Sequence, residues 1–281
     1  MESFAFKQFT VSHSKSAMRV NTDGVLLAAW TNLPPFEKSN DVYSVNNIKS
    51  ISKSCGILKI LDIGTGTGVI ALILAQRLSQ MVPDGNFKIE GIDIDLPSIE
   101  DAIDNFNRSP WRDSLIGEAT SIQEFLSKFI IDNGERTNSV NTGKFSLIVT
   151  NPPYFTNSSK APSQRRSAAR HNDTLPLDTL IDAASKLLEY DGTLSLILPV
   201  EEGKSIIELA NNYSLYLSRL CKIKTTPVKS EKRYMMEFKK EEDRRTHPKI
   251  EELIIQNTNG TYTEHYCDLI SDYYYKDFRV S

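Results

Sequence analysis

Short apolar runs alternate along the chain with stretches in which apolar residues recur every three or four positions. Ile57 to Ile63 (ILKILDI) has strand length and ends in glycines, and Val69 to Leu78 then spaces Val69, Ile70, Leu72, Ile73, Leu74 and Leu78 as a helix does. The pair recurs as Phe87 to Ile94 with Pro97 to Arg108, and as Ser114 to Ala119 with Ser121 to Ile131. Phe145 to Thr150, Leu175 to Glu189, Thr193 to Pro199 and Glu202 to Tyr213 continue the series as strand, helix, strand and helix. Strands that alternate with helices need right-handed crossovers, so the pattern predicts an α/β fold with an open, mainly parallel sheet and helices on both faces. Past Leu215 the pattern turns strand-rich, with Tyr216 to Thr225, Arg233 to Lys239 and Ile250 to Ile255, and an antiparallel end to the sheet is expected. Glu37 to Ser54 and Asp132 to Lys144 are polar, show neither period, and read as surface insertions in one domain spanning residues 1–281, with residues 1–56 as a short N-terminal extension.

The glycine-rich turn between the first strand and its helix adds chemistry. Asp62-Ile63-Gly64-Thr65-Gly66-Thr67-Gly68 lies where an open α/β sheet binds its ligand. A dinucleotide fingerprint, G-x-G-x-x-G counted from Gly64, would end at position 69, which is Val69; the third glycine comes one residue early, at Gly68. An acidic Asp62 before the turn would repel a pyrophosphate, whereas S-adenosylmethionine carries a sulfonium and an ammonium group and no phosphate. The expected cofactor is therefore S-adenosylmethionine, held by Asp62, Gly64, Thr65, Gly66 and Gly68. Asp93, ending the second strand, is placed to accept both ribose hydroxyls. Its neighbour Asp95 is assigned instead to capping the helix that starts near Pro97.

Asn151-Pro152-Pro153-Tyr154 follows the fourth strand and so reaches the same carboxyl edge of the sheet. Asn and Pro are ordinary turn residues. A base amino group nevertheless gives the tetrad a chemical reading. Its nitrogen is a poor nucleophile because the lone pair is conjugated into the ring. Two acceptors, the Asn151 side-chain oxygen and the Pro152 carbonyl, can hold the NH₂ group and offset the charge that develops on nitrogen. Pro153 stiffens the turn, and Tyr154 can stack on a base turned out of its helix.

The acidic glycine loop, Asp93 and the NPPY tetrad resemble the amino-methyltransferase superfamily, whose members modify adenine, cytosine or guanine amino groups or the glutamine amide of release factors. Phe6-Lys7-Gln8-Phe9, Met18 to Leu27, Asn151 to Phe155 and Arg165 to His171 narrow the likeness to the bacterial valine-tRNA adenine-N6 methyltransferases. The resemblance runs over most of the chain and implies a Rossmann-like class I methyltransferase with a seven-stranded sheet. It further implies adenine-37, next to the anticodon, as the target, and Thr22 and Asp23 near the methionine end of the cofactor. Many relatives place an acidic residue after the third strand for the cofactor's adenine amino group; here that position is Ser121, with Glu118 nearby.

Charge and composition change the picture in one respect. A net charge of −3 gives no general attraction to RNA, so contact must come from a local basic patch. Lys160, Arg165, Arg166 and Arg170 follow the tetrad with no acidic residue between Phe155 and Asn172, and are expected to grip the anticodon arm of tRNA. The scattered Cys55, Cys221 and Cys267, and His13, His171, His247 and His265, form no metal or redox spacing, so no metal is expected. The first residues lack the apolar stretch of a signal or spanning helix, and a monomeric, cytoplasmic enzyme is expected. A release-factor glutamine methyltransferase would share the motifs but is expected to carry a helical N-terminal domain, for which the residues before the first strand leave little room. A noncatalytic RNA-binding protein of this fold would not need an intact Asn151 and Tyr154.

Overall fold

The computed structural model describes residues 3–16, 19–36, 57–82, 85–134, 144–153, 175–241 and 247–279. Two short strands, β1 (Ser3–Ala5) and β2 (Thr10–Ser12), pair as an antiparallel ribbon and lead into α1 (Thr22–Trp30). The alternating series follows as β3 (Leu58–Ile63), α2 (Val69–Met81), β4 (Phe87–Asp93), α3 (Leu96–Arg108), β5 (Leu115–Ala119) and α4 (Ile122–Gly134). It continues with β6 (Phe145–Thr150), α5 (Leu177–Leu187), β7 (Leu188–Pro199) and α6 (Val200–Ala210). The last elements are β8 (Leu215–Lys224), β9 (Glu231–Lys240), β10 (Lys249–Ile254) and α7 (Glu264–Ile270).

Among the described residues β3 to β10 form an eight-stranded sheet in the order β10-β8-β9-β7-β6-β3-β4-β5. Only β9 runs against its neighbours; β10 lies parallel to β8 at the edge. The expected seven strands thus become eight, and the expected antiparallel end reduces to one reversed strand. The register explains both. β9 ends opposite Leu215, the start of β8, and β10 begins opposite Arg219, so the chain leaves and re-enters at the same end of β8 and must run alongside it.

Alternation along the strands divides the core into two layers. In β6, Leu147 and Val149 pack with α1, α2, α3 and α7, whereas Ile148 packs with α4, α5 and α6. The first layer also joins distant parts of the chain. Phe6 stacks on Phe9 with ring centroids 4.7 Å apart, Phe4 meets Tyr274 edge-on at 5.7 Å, and the Lys7 N–H donates to the Tyr273 carbonyl at 2.8 Å. At the far end of α1 the Trp30 indole N–H donates to Glu251 of β10 at 3.0 Å, while the Arg219 guanidinium lies 4.0 Å from the centre of the Trp30 ring. No helix among the described residues is long and apolar enough to cross a membrane.

Candidate active site

Strands β3 and β6 are registered so that Ile63 lies beside Thr150, and the Thr150 hydroxyl donates to the Ile63 carbonyl at 2.8 Å. Gly64 and Asn151 therefore leave adjacent strand ends at the carboxyl edge of the sheet, which brings the glycine turn and the tetrad into one place.

The turn is held from β4. The Gly64 and Thr65 N–H groups donate to the Ile92 carbonyl at 2.9 and 3.0 Å, and the Gly66 N–H donates to Asp93 Oδ2 at 2.8 Å. Gly64 (φ 69°) and Gly66 (φ 56°) adopt the left-handed conformation that glycine tolerates, and a Cβ on either would meet nothing within 4 Å. Both face open space, as a surface approached by a ligand must. Gly68 has a different reason. At φ 84° it precedes α2, and a Cβ there would lie 2.5 Å from the Phe106 ring of α3. Gly68→Ala is expected to lower unfolding stability by about 2–4 kcal/mol from backbone strain and overpacking, measured by denaturant titration. A variant as stable as the parent would show that α3 can move away freely.

Asp62 is fully buried. Its Oδ2 accepts from the Thr65 hydroxyl at 2.7 Å, while Oδ1 has no hydrogen-bond partner among the described residues. Burial drives its carboxyl up to about 7, with the Thr65 hydroxyl and the nearby Ala71 N–H opposing and the Asp93 charge adding to the rise. An orphaned carboxylate oxygen behind an open glycine turn fits a cationic ligand such as S-adenosylmethionine. Asp93 is also raised by burial, against hydrogen bonds from the Asp95 and Gly66 N–H groups. Asp95 caps α3 by accepting from the Ser98 N–H at 3.1 Å, the role predicted for it. Asp93 Oδ1 accepts from the Asp95 N–H at 2.9 Å and Oδ2 from the Gly66 N–H at 2.8 Å.

The expected acceptors for the cofactor's adenine are occupied locally. Ser121 and Glu124 cap α4 reciprocally, with the Ser121 N–H donating to Glu124 Oε2 at 3.2 Å and the Glu124 N–H donating to Ser121 Oγ at 3.2 Å. Glu118 pairs with Lys128 at 2.6 Å.

Asn151 is half-buried, Pro152 buried and Pro153 exposed; Tyr154 lies outside the described residues, as do Lys160, Arg165, Arg166 and Arg170. Opposite Asn151 stands the start of α1, where Thr22 opens the helix and the Arg233 Nε of β9 donates to Asp23 Oδ2 at 3.0 Å. Asn21 is a site residue that the sequence reading does not single out. Its side-chain oxygen caps α1 by accepting from the Gly24 N–H at 2.8 Å and also accepts from Asn151 Nδ2 at 3.3 Å. A signal exists in Asn-Thr-Asp before an apolar run, the residue type that opens a helix. α3 completes the frame: Asn105 Nδ2 donates to the carbonyls of Ser12 and Thr67, each at 2.9 Å, and so ties the N-terminal segment to the glycine turn.

Further basic residues line the β8–β9 hairpin, which lies at the same edge of the sheet. Lys222 pairs with Glu231, Lys224 with Glu252 and Arg233 with Asp23, while Lys229 is exposed at the tip. No cluster of His, Cys, Asp and Glu suited to a metal ion occurs among the described residues.

Comparison with known proteins accords with this architecture. Residues 46–224 match the family model described as Eco57I restriction-modification methylase. Among solved structures, a predicted O-methyltransferase, protein Atu636 from Agrobacterium tumefaciens, superimposes with a TM-score of 0.55 at 16% identity, covering 89% of this chain and 96% of that one. The fold is thus the Rossmann-like class I methyltransferase fold. The tRNA1(Val) (adenine(37)-N6)-methyltransferase of Phocaeicola vulgatus is 38% identical over 271 residues, covering 96% of this chain and 97% of that protein. The protein of the same name from Flavobacterium psychrophilum is 36% identical over 273 residues, covering 97% and 99%. Similarity of this extent, over a site with an acidic glycine turn and an NPPY edge, shows that the chain belongs to the tRNA1(Val) (adenine(37)-N6)-methyltransferase family.

Proposed function

We propose that this protein methylates the exocyclic N6 of adenine-37 in valine tRNA, using S-adenosylmethionine, as a monomeric, cytoplasmic single-domain enzyme with polar insertions near residues 37–54 and 132–144. The observation that carries this reading is the registered pair of strand ends that sets Asn151 beside the glycine turn.

S-adenosylmethionine, when bound, supplies a methyl group on a positively charged sulfur. Asp62, Gly64, Thr65, Gly66 and Gly68 form the turn that receives it, Asp93 takes the ribose hydroxyls, and Thr22 and Asp23 close the methionine end. The Asn151 side-chain oxygen and the Pro152 carbonyl accept the two hydrogens of the adenine amino group. Their partial charges oppose the positive charge that grows on nitrogen as the new N–C bond forms and the methyl–sulfur bond breaks, with its electron pair left on the departing thioether. Tyr154 stacks on the extruded base, and its grip, with the stiffness of Pro152 and Pro153, keeps the nitrogen aimed at the methyl carbon. Once methylated, the cationic nitrogen is acidic and loses its proton to solvent.

Nucleoside mass spectrometry tests the target. Unmodified valine tRNA incubated with the protein and S-adenosylmethionine is expected to gain one N6-methyladenine, at position 37. Methylation of a release-factor glutamine or of ribosomal RNA instead would replace this reading.

Lys160, Arg165, Arg166 and Arg170 are assigned to the tRNA backbone. Arg165→Ala combined with Arg166→Ala is expected to weaken tRNA binding and to reduce the log-log salt slope by roughly 0.7 to 0.9 for each phosphate left without its cation. Unchanged affinity with an unchanged slope would move the interface elsewhere, with exposed Lys229 as the next residue to test.

A further inference from the structure

We propose that Asn21 is a positioning residue for methyl transfer: it holds the Asn151 amide by its nitrogen and so turns the Asn151 oxygen toward the amine to be methylated. This rests on the target assigned above, because only an amino substrate needs that oxygen.

A primary amide presents an acceptor at one end and donors at the other, and half a turn about the last side-chain bond exchanges them. An incoming amino group offers hydrogens. If Asn151 met it with Nδ2, donors would face donors and the site would repel its own substrate. Some neighbour must therefore select one of the two orientations.

Asn21 has the chemistry to do so. A backbone N–H can only donate, and the Gly24 N–H lies 2.8 Å from Asn21 Oδ1, so that atom is fixed as the oxygen. Asn151 approaches the same oxygen at 3.3 Å. An oxygen that faces Asn151 accepts only from Nδ2, and the Asn151 oxygen is left at the other end of its amide. The two donors, one from each partner, fill the two lone pairs of Asn21 Oδ1.

The holder is itself held. Asn21 sits in extended backbone (φ −116°, ψ 155°) as the cap of α1, and the next turn is fixed by the ion pair between Asp23 and Arg233 at 3.0 Å. On the other side, Thr150 is clamped to Ile63 immediately before Asn151. Both amides thus project from fixed backbone.

Two substitutions separate capping from positioning. Serine caps helices about as well as asparagine, but its hydroxyl is shorter and can donate or accept, so it selects no orientation. Aspartate caps equally well and keeps an oxygen for each donor. On unmodified valine tRNA, Asn21→Ser is expected to lower kcat by about 10- to 100-fold, the usual cost of a slightly misplaced reacting group, with thermal stability and the KM for S-adenosylmethionine close to the parent's. Asn21→Asp is expected to stay within about threefold of the parent, because a carboxylate accepts at least as strongly as an amide oxygen. In an Asn151→Ala background, Asn21→Ser should add less than about twofold, since the group it positions is gone. Parent-like kcat in Asn21→Ser, equal losses in both variants, or full additivity with Asn151→Ala would overturn the assignment while leaving the target intact. A parent enzyme that transfers no methyl to that tRNA would overturn the target and this assignment together.

Discussion

Asn151→Ala is expected to abolish most methyl transfer, by about 100- to 1000-fold in kcat, while S-adenosylmethionine affinity stays within about twofold of the parent's. The split follows from where Asn151 lies. The glycine turn takes its support from β4, through the Ile92 carbonyl and Asp93, and none of those hydrogen bonds involves Asn151. Asn151 instead leaves β6 beside the turn and contacts Asn21. Its loss removes an acceptor whose value grows as charge develops on the attacking nitrogen, which places the penalty in the chemical step. Single-turnover kinetics with tRNA and calorimetry with the cofactor measure the two parts separately. A variant that turned over normally would reduce the tetrad to a turn.

The second large effect concerns Asp62. S-adenosylmethionine affinity is expected to rise about tenfold between roughly pH 6 and pH 8 and then to level off. In the free protein burial holds the Asp62 carboxyl near 7, so below that pH it is neutral and offers nothing to a sulfonium or an ammonium. Above it the carboxylate is ionised and attracts both, and binding of the cation draws the remaining proton off. Asp62→Asn should remove this rise and weaken binding by about tenfold at the upper end, because it keeps the shape and loses the charge. Stability moves the other way. A raised carboxyl contributes stability that is present below its ordinary value of 3.8 and is lost as pH climbs through about 7, so the free protein should soften over that window. Asp93, raised in the same direction, adds to the softening. Calorimetry and thermal melts across pH test both trends; affinity that is flat with pH in the parent would mean that the buried charge does not sense the ligand.

Much of this is legible in the sequence because local chemistry and tertiary placement agree. The strand and helix order from β3 to β9 is written in period and punctuation, and Asp95 announces itself as a cap by the proline two positions on. α1 escapes such a reading because every residue from Gly24 to Trp30 is buried, which erases the polar stripe that marks a surface helix. β10 is recognisable as a strand at the end of the sheet, but its parallel direction is not, since pairing partner and direction depend on how the chain returns to β8 and not on the strand's own residues. Asp62 and Asp93 stand out as acidic punctuation around a glycine turn. Their different burial is not legible, because it depends on how α2, α3 and β4 close around the turn. Asn21 is within reach of a capping rule, but its contact with Asn151 spans 130 residues of sequence. No local pattern encodes such a pair.

The contact of Phe4 and Phe6 with Tyr274 joins residues made far apart in time. Lys7 reaches a carbonyl 264 residues further along, and Trp30 reaches Glu251 across 221. During synthesis β3 to β7 emerge before Tyr274, so Phe4 and Phe6 wait for the ring that packs against them, whereas Phe9 meets the earlier Trp111. The segment that carries Asn21 is held by Arg77 of α2, which donates to the Ala28 and Thr31 carbonyls, and is completed by later partners, Arg233 near its start and Glu251 at its close. A nascent chain that has made β3 to β7 but not Arg233, Glu251 and Tyr274 therefore leaves Phe4 and Phe6 uncovered and this edge of the site incomplete, so the long-range contacts close after the central strands are in place.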